Sequence, residues 1–216
     1  EHMRAHKYLA GEITKESKRE IFEKHPYSTE LLQFAKADGE GRLTTMEAEA
    51  QPYLIITLGI PGSGKSTWRR KFASLHPEYK VICPDDLRRE ITGSVSDITR
   101  DREVWEKAYH TLKEHLRNKE NVIFDSTAVS TRTQKALENI AKDLGALVLY
   151  KLFEVDLETA KQRVLKDIED KVDRSKVPME IIEKMHKGFE DAKIRVLAEK
   201  ALGNVFLIEE KYKQTF

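Results

Sequence analysis

The chain has 216 residues, enough for one full domain with a smaller appendage and too few for two large domains. Its 38 Lys and Arg residues nearly balance 37 Asp and Glu residues, which leaves a net charge of +1. This balance excludes a positive charge over the whole surface that would attract nucleic acid, so any nucleic-acid site must be local. No apolar run approaches the roughly 20 residues needed to span a bilayer, and no signal peptide opens the chain. The single cysteine, Cys83, excludes an internal disulfide. We therefore expect a cytoplasmic protein that does not enter a membrane.

The first part of the chain, residues 1–51, shows no strand pattern. Residues 1–3 are interpreted as a cloning remnant and are left out of the fold argument. Short helices are predicted around residues 16–23 and 29–37, where apolar and charged residues mix without alternation. The sequence therefore predicts a helical N-terminal extension, and we expect residues 4–51 to contact a protein partner or a second copy of the chain.

From residue 52 onward, apolar runs alternate with helical patterns, which is typical of parallel β-α-β units. The predicted strands are residues 53–58, 80–83, 121–124, 146–153 and 204–208. The clearest helix has an apolar stripe at i+4 spacing, formed by Val104, Ala108, Leu112 and Leu116. We therefore predict an α/β domain over residues 52–216, with a parallel sheet of about five strands flanked by helices.

A phosphate-binding loop follows the first predicted strand. Residues 59–67 read Gly-Ile-Pro-Gly-Ser-Gly-Lys-Ser-Thr and fit the pattern G-x-x-x-x-G-K-[ST] at every required position. Glycines let the backbone point its N–H groups at an anion, and the next helix adds its positive end. Lys65 is expected to reach the β- and γ-phosphates of ATP or another nucleoside triphosphate, and the Ser66 hydroxyl to hold Mg²⁺. The predicted nucleotide-binding residues are Gly59, Pro61, Gly62, Ser63, Gly64, Lys65, Ser66 and Thr67.

Acidic residues follow the next two predicted strands, at the edge where open parallel sheets bind their ligands. Asp125 ends the apolar run 122–124, as a Walker B carboxylate does, and could act on Mg²⁺ directly or through water. Capping of the next turn is the alternative for this residue. Of the pair Asp85 and Asp86, one could accept a proton from an acceptor hydroxyl while the other caps a helix beginning at Leu87.

Cations near these acids are candidates for holding phosphates. Arg88 falls on the same side of a helical turn as Asp85 and could hold a phosphate of the acceptor, with pairing to Glu90 or solvent as the alternative. Residues 157–178 are rich in cations interrupted by acids, which fits either a lid over a triphosphate or a salt-bridged, solvated helix. The cations of this segment are Lys161, Arg163, Lys166, Lys171, Arg174 and Lys176.

Together these residues resemble the kinase domain of the bacteriophage-type 5′-hydroxyl polynucleotide kinases and related small P-loop kinases. The resemblance rests on Pro-Gly-Ser-Gly-Lys-Ser-Thr-Trp at 61–68, Asp-Asp-Leu-Arg at 85–88 and Asp-Ser-Thr at 125–127. Arg132 follows the last of these motifs, as an arginine does in the family. The segment from Arg163 onward departs from the family, because it is longer than the family's lid and contains more acids.

The resemblance implies specific roles at the matching positions. Asp85 would be the general base on the acceptor 5′-hydroxyl, and Arg88 would hold the acceptor's phosphate. Arg163 and Arg174 would be the lid arginines on the donor phosphates, and the choice between them stays open. Lys65 would complete the catalytic group. The residues implied to contact the acceptor are Arg88, Thr127 and Arg132.

Three functions fit these patterns. The first is ATP-dependent transfer of the γ-phosphate to the 5′-hydroxyl of a DNA or RNA end. The second is a P-loop kinase for a small metabolite, a nucleotide sugar or a modified base, and the third is a nucleotide-binding switch or toxin-like module. We rank them in that order. The near-neutral net charge counts against the first function, although a short pocket for a nucleic-acid end needs only about two or three cations on the acceptor.

Overall fold

The protein is represented by a computed structural model that describes residues 51–208, except residues 171 and 173. Apart from Gln51, the predicted N-terminal extension and its expected contact surface at 4–51 lie outside the described residues. Residues Pro52–Ile208 form one compact unit.

Strands and helices alternate along the described chain. The strands are β1 Tyr53–Leu58, β2 Tyr79–Ile82, β3 Asn121–Phe124, β4 Leu147–Leu152 and β5 Phe206–Leu207. The helices are α1 Lys65–Leu75, α2 Pro84–Thr92, α3 Asp101–Arg117, α4 Thr131–Asp143, α5 Leu157–Glu169 and α6 Met179–Ala201. Single or paired helices thus connect each strand to the next, which confirms the predicted α/β class.

Within the described residues, the strands form one parallel sheet of five in the order β2-β3-β1-β4-β5. In its centre, Leu54 of β1 is in register with Val122 of β3 and Val148 of β4. Because all strands are parallel, the carboxyl ends of β1, β2 and β3 meet at one edge. The phosphate loop and both acidic segments therefore lie at the same edge of the sheet.

Strand boundaries differ from the sequence prediction in detail. β2 ends at Ile82 rather than Cys83, because Cys83 is the N-cap of α2 and Pro84 occupies the first turn of that helix. β4 is shorter than predicted at both ends. Of the last predicted strand, Phe206 and Leu207 pair with β4, and the Ile208 N–H donates to the Tyr150 carbonyl oxygen, so β5 is a short edge strand.

Helices cover both faces of the sheet at its centre, since every residue of β1 is buried. Every second residue of β1, Leu54, Ile56 and Leu58, points to the same face and joins one cluster with residues of α3, α4, α5 and α6. The predicted stripe of α3 is confirmed, with all four side chains fully buried. Each buried leucine of this kind contributes about 1.5–3 kcal/mol to stability.

The longest described helix, α6, is amphipathic. Ile182, Phe189 and Val196 are buried, and charged residues occupy much of the remaining surface. In the part of the chain that the structure describes, no helix combines the length and the apolar character needed to cross a membrane.

Candidate functional site

The loop after β1 has the backbone shape that its glycine pattern predicts. Gly62 and Gly64 have φ angles of 81° and 96°, in the left-handed region that favours glycine. A Cβ on Gly62 would lie 2.5 Å from the backbone oxygen of Ala160, so a larger residue would displace one of the two segments. Gly64 is the N-cap of α1, which begins at Lys65. The loop therefore ends at a helix N-terminus, which favours an anion.

Gly62→Ala should weaken ATP binding by about 10-fold or more, because the added methyl combines backbone strain with the clash against Ala160. Gly93→Ala is a matched control, since Gly93 has φ +82° and nothing within 4 Å of an added Cβ. Calorimetric titration with ATP and Mg²⁺ measures both variants. Equal weakening in the two variants would contradict the assignment of the loop to nucleotide.

Lys65 is a buried lysine that bridges the loop. Its Nζ donates hydrogen bonds to the Ile60 carbonyl oxygen at 2.8 Å and to Ser63 Oγ at 3.4 Å. Both partners belong to the loop itself, so the ammonium group lies inside the turn rather than in solvent. This places a positive charge where a phosphate bound by the loop would lie.

The electrostatic surroundings of Lys65 bring the candidate residues together. Burial lowers the pKa of Lys65 to about 8; Asp125 and Asp85 oppose the shift, and Arg174 adds to it. Charges are felt at this ammonium group because the site is poorly solvated. Residues from the ends of β2 and β3 and from the segment after α5 therefore contribute to the electrostatic surroundings of Lys65.

ATP affinity should fall as the pH rises through about 8, the pKa of Lys65 in the nucleotide-free protein. Phosphates favour the protonated lysine, so above that pH binding has to take up a proton and becomes weaker. Lys65→Arg stays charged, and its remaining ATP affinity should change less between about pH 7 and about pH 9. Titrations across this range test the expectation, and an unchanged affinity of the wild type would contradict it.

Asp125 follows β3 as a buried, anchored carboxylate. Thr57 Oγ1 donates to its Oδ1 at 3.0 Å, and Arg69 Nε lies 3.2 Å from its Oδ2. The Asp125 N–H donates to the carbonyl oxygen of Ile82 at 2.8 Å. Burial raises the pKa of Asp125, and the charges of Arg69 and Lys65 oppose that shift. The carboxylate is thus held beside the loop lysine.

The donor atoms at this edge fit a magnesium ion carried by a nucleotide. Among the described residues, no group of three or more His, Cys, Asp or Glu could hold a metal ion by itself. In nucleotide sites Mg²⁺ takes one or two protein oxygens and completes its shell with phosphates and waters. Ser66, exposed in the first turn of α1, and the Asp125 carboxylate offer such a set. These residues therefore fit the ion that the loop motif implies.

Helix α2 begins earlier than the sequence suggests. It starts at Pro84, so the prediction that an aspartate caps a helix beginning at Leu87 is wrong. Asp85 and Asp86 instead lie in the first turn, where their negative charge complements the helix dipole. The N-cap is Cys83, whose thiol is buried and has its pKa raised by that burial to about 12. Cys83 therefore packs rather than reacts.

The two neighbouring carboxylates have different partners. Asp86 accepts hydrogen bonds on both oxygens, from Arg69 at 2.8 Å and from Arg89 at 3.1 Å. Burial alone would raise the pKa of Asp86. The two arginines together outweigh burial, so the net shift of this pKa is downward. Asp85 accepts from Arg88 through Oδ1, and its Oδ2 has no hydrogen-bond partner among the described residues. Asp85 thus keeps an oxygen that can take a proton.

Arg88 is a buried bridge between two carboxylates. One of its terminal nitrogens pairs with Asp85, and the other lies 2.5 Å from Asp101 Oδ1, which also accepts from Arg88 Nε at 3.2 Å. The alternative pairing with Glu90 is wrong, because Glu90 pairs with Lys107. A guanidinium with several fixed donors orients a carboxylate well. Arg88 therefore fixes Asp85 and joins α2 to the start of α3.

Arg163 and Arg174 both interact with the phosphate loop, but they do so in different ways. Arg163 Nη1 donates to the carbonyl oxygen of Gly62 at 3.2 Å. Arg174 Nη1 pairs with Asp167, while its buried Nε has no hydrogen-bond partner within the described residues. The charge of Arg174 also lowers the pKa of Lys65. Arg163 thus contacts the loop directly, whereas Arg174 acts on the loop lysine through its charge.

Two other cations of the 157–178 segment, Lys161 on α5 and Lys176 between α5 and α6, have no hydrogen bond or ion pair with the phosphate loop among the described residues. Lys161 pairs with Glu158 at 3.3 Å and with Glu183 at 2.7 Å, and Lys176 is exposed. Lys171 lies outside the described residues. The interpretation as a lid therefore fits Arg163 and Arg174, and the interpretation as a salt-bridged helix surface fits Lys161.

Thr127 and Arg132 lie in the segment that follows Asp125. The Thr127 carbonyl oxygen accepts a hydrogen bond from the Gly59 N–H at 3.1 Å, so its backbone supports the phosphate loop. Arg132 is exposed in the first turn of α4, and its charge opposes the rise that burial causes in the pKa of Tyr109 on α3. Arg132 is therefore a solvent-facing cation between α3 and α4.

Sequence reasoning missed Thr57, Arg69 and Asp101. Thr57 could have been found as a polar residue late in an otherwise apolar strand. Arg69 follows Lys65 by one helical turn and so shares its side of α1. Asp101 carries no local signal, because its partner Arg88 is 13 positions away and on another helix.

The chain is similar in sequence to a known kinase. The L-seryl-tRNA(Sec) kinase of Methanococcus maripaludis is 28% identical over 150 residues, which cover 63% of this chain and 52% of the relative. The chain therefore spans about half the length of this curated relative.

Solved structures resemble the fold at moderate similarity. A chain from the structure of the Pnkp1/Rnl/Hen1 RNA repair complex matches with a TM-score of 0.60 and 26% identity, covering 67% of this chain and 46% of that one. A chain of the PezAT toxin-antitoxin system of Streptococcus pneumoniae matches with a TM-score of 0.54 at 14% identity, covering 89% and 84%. At that identity the second likeness concerns the fold alone.

A family profile also matches the chain. It is described as an AAA domain and covers residues 54–192 of the 216, from the first strand into α6. The matched range contains the phosphate loop, both acidic segments and the two arginines near the loop. The chain therefore belongs to this AAA domain family and carries a P-loop kinase domain.

Proposed function

We propose that the protein transfers the γ-phosphate of ATP to the 5′-hydroxyl of a DNA or RNA end. The observation that carries the proposal is the Asp85 carboxylate, which Arg88 fixes through one oxygen while the other has no partner among the described residues. Asp85 is also close enough to Lys65 to influence its pKa. A carboxylate beside the loop lysine is what a kinase needs to accept the proton of an attacking hydroxyl.

In the proposed reaction the acceptor oxygen bonds to the γ-phosphorus while its proton passes to Asp85. The bond between the γ-phosphorus and the bridging oxygen breaks, and ADP leaves. Lys65, Arg163 and Arg174 offset the negative charge of the phosphate oxygens. Ser66 and Asp125 would hold Mg²⁺, which supplies further positive charge at the phosphates when bound.

Fewer contacts support the assignment of the residues that bind the acceptor. Arg88, Thr127 and Arg132 are proposed to contact the acceptor, with Arg132 offering an exposed charge to a phosphate. The likeness to a chain from an RNA repair complex at 26% identity supports a nucleic-acid acceptor. Phosphate contacts at an end need few cations, so the net charge of +1 is compatible with this acceptor.

The second candidate is a kinase for a different hydroxyl, on a small molecule or on an aminoacyl group. The likeness to an enzyme named L-seryl-tRNA(Sec) kinase, at 28% identity, favours it. The same loop, lysine and base would serve both reactions, because the donor half of the site does not depend on the acceptor. The two candidates therefore differ in the acceptor alone.

An acceptor panel tests the proposal. The full chain is incubated with γ-labelled ATP, Mg²⁺ and 5′-hydroxyl DNA or RNA oligonucleotides, with the same oligonucleotides carrying a 5′-phosphate as controls. Free nucleosides and serine-charged tRNA are offered in parallel. Label on the 5′-hydroxyl oligonucleotides and not on their 5′-phosphorylated controls supports the proposal. Label on a nucleoside or on the charged tRNA alone would favour the second candidate, and ATP binding without transfer would favour a switch.

A further inference from the structure

Helix α3 carries a second stripe of side chains beside its buried one. Val104 and Ala108 are fully buried, whereas Trp105 and Tyr109, each one position further along, are half-buried. The two aromatic residues are spaced i,i+4, so they lie one above the other on the same side of the helix. Both residues therefore pack against the core and remain partly accessible to solvent.

Each of the two rings stacks on Phe124, the last residue of β3, and the planes of Trp105 and Tyr109 are tilted by 41° relative to each other. Ring centroids are 5.6 Å apart for Trp105 and Tyr109, 6.1 Å for Trp105 and Phe124, and 6.3 Å for Tyr109 and Phe124. Tyr109 and Phe124 are nearly parallel, with 15° between their planes. Phe124 is fully buried and directly precedes Asp125. The aromatic pair therefore rests on a rigid base at the carboxyl edge of the sheet.

Groups of the proposed acceptor side lie next to this pair. Trp105 follows Asp101 by one helical turn, and Asp101 holds Arg88, which fixes the proposed base Asp85. Arg132 is exposed in the first turn of α4, a helix that contacts α3, and its charge acts on Tyr109. A partly exposed aromatic surface is thus combined with an exposed arginine, a combination that suits a nucleotide, since a base stacks while a phosphate pairs with the cation.

We propose that Trp105 and Tyr109 form a stacking surface for the terminal base of the acceptor, with Arg132 on the adjoining phosphate. This inference rests on the proposed function and adds to it the residues that hold the acceptor's base. Stacking on aromatic rings tolerates every base, so the surface would fix the position of the end without selecting a sequence. It would hold the 5′-hydroxyl near Asp85.

Steady-state kinetics with two kinds of acceptor test the stacking surface. One 5′-hydroxyl oligonucleotide has a normal terminal nucleotide, and the other has an abasic sugar at that position. For the wild type, removal of the base should raise the acceptor KM by about 5- to 150-fold, the usual range for one stacked base, and leave the KM for ATP unchanged. Equal acceptor KM values for the two oligonucleotides would overturn the proposal.

Substitutions at Trp105 separate stacking from a purely structural role. Trp105→Leu, which keeps apolar volume, should raise the acceptor KM for the normal oligonucleotide and leave the abasic one unaffected, whereas Trp105→Phe should retain most of the affinity. Equal losses on both oligonucleotides would mean that Trp105 only packs α3 on β3, and would overturn the proposal. If the wild type labels neither oligonucleotide, the proposed function itself fails and the stacking surface fails with it.

Tryptophan emission gives a binding measurement that does not depend on turnover. The chain has two tryptophans, and Trp68→Phe leaves Trp105 as the one reporter. The normal 5′-hydroxyl oligonucleotide should quench its emission, and the abasic oligonucleotide should do so far less at the same concentration. Equal quenching by both would count against contact between Trp105 and the terminal base.

Discussion

Asp85→Asn should lower kcat for phosphate transfer by about 10²- to 10⁴-fold, the usual contribution of a positioned general base. Asparagine keeps the size of the side chain and can still accept the hydrogen bond from Arg88 through its amide oxygen. It cannot take the proton of the attacking hydroxyl. The affinity for ATP should stay within about threefold of the wild type, because Asp85 is not part of the phosphate loop. Single-turnover transfer and calorimetric ATP binding measure the two effects separately.

Asp86→Asn is the matched control for this substitution. Asp86 has the same side chain in the same helical turn, but both of its oxygens are bound by arginines. Its replacement should therefore reduce transfer far less than Asp85→Asn. Near-normal turnover in Asp85→Asn, or a larger loss in Asp86→Asn, would show that Asp85 is not the base.

Lys65→Ala should reduce kcat/KM by about 10³-fold or more, because it removes the buried positive charge from the loop. The ammonium group bonds to Ile60 and Ser63 within the loop, so the change also loosens the loop itself. ATP binding and transfer should fall together, unlike in Asp85→Asn. A thermal melt accompanies the kinetics, because the lost activity should not reflect an unfolded protein.

Lys71→Ala is the control for charge on the same helix. Lys71 lies on α1 as Lys65 does, but it is exposed, and its replacement should leave both ATP binding and transfer unchanged. Lys65→Ala that still bound ATP with wild-type affinity would contradict the assignment of this lysine to the donor phosphates. A folded Lys65→Ala protein with full activity would contradict it as well.

The parts of the fold that the sequence predicted correctly are those with a local signal. The glycine loop between an apolar strand and a helix, and Asp125 after its apolar run, combine residue type and spacing within a few positions. The strand ends were less well predicted, because the hydrogen bonds of the sheet decide them. The start of α2 had a local signal in Pro84, which the prediction of a helix beginning at Leu87 did not use. The local sequence pattern therefore predicted which edge of the sheet carries the site.

What the sequence could not supply depends on contacts between distant residues. Thr57 holds Asp125 across 68 positions, and Asp101 holds Arg88 from another helix. The density of cations in the segment after β4 likewise did not separate Arg163 and Arg174, which approach the loop, from Lys161, which pairs with glutamates. Side-chain pairing of this kind follows from tertiary packing and leaves no periodic trace in the chain.

Phosphorylation of a nucleic-acid 5′ end is tested most directly by locating the transferred phosphate. A 5′-hydroxyl oligonucleotide is incubated with the full chain, γ-labelled ATP and Mg²⁺, and the product is digested to 5′-mononucleotides. We predict label in the mononucleotide of the 5′ terminus alone, and its loss with Asp85→Asn. Unlabelled oligonucleotide in the presence of bound ATP, or label at any other position, would contradict 5′-hydroxyl kinase activity.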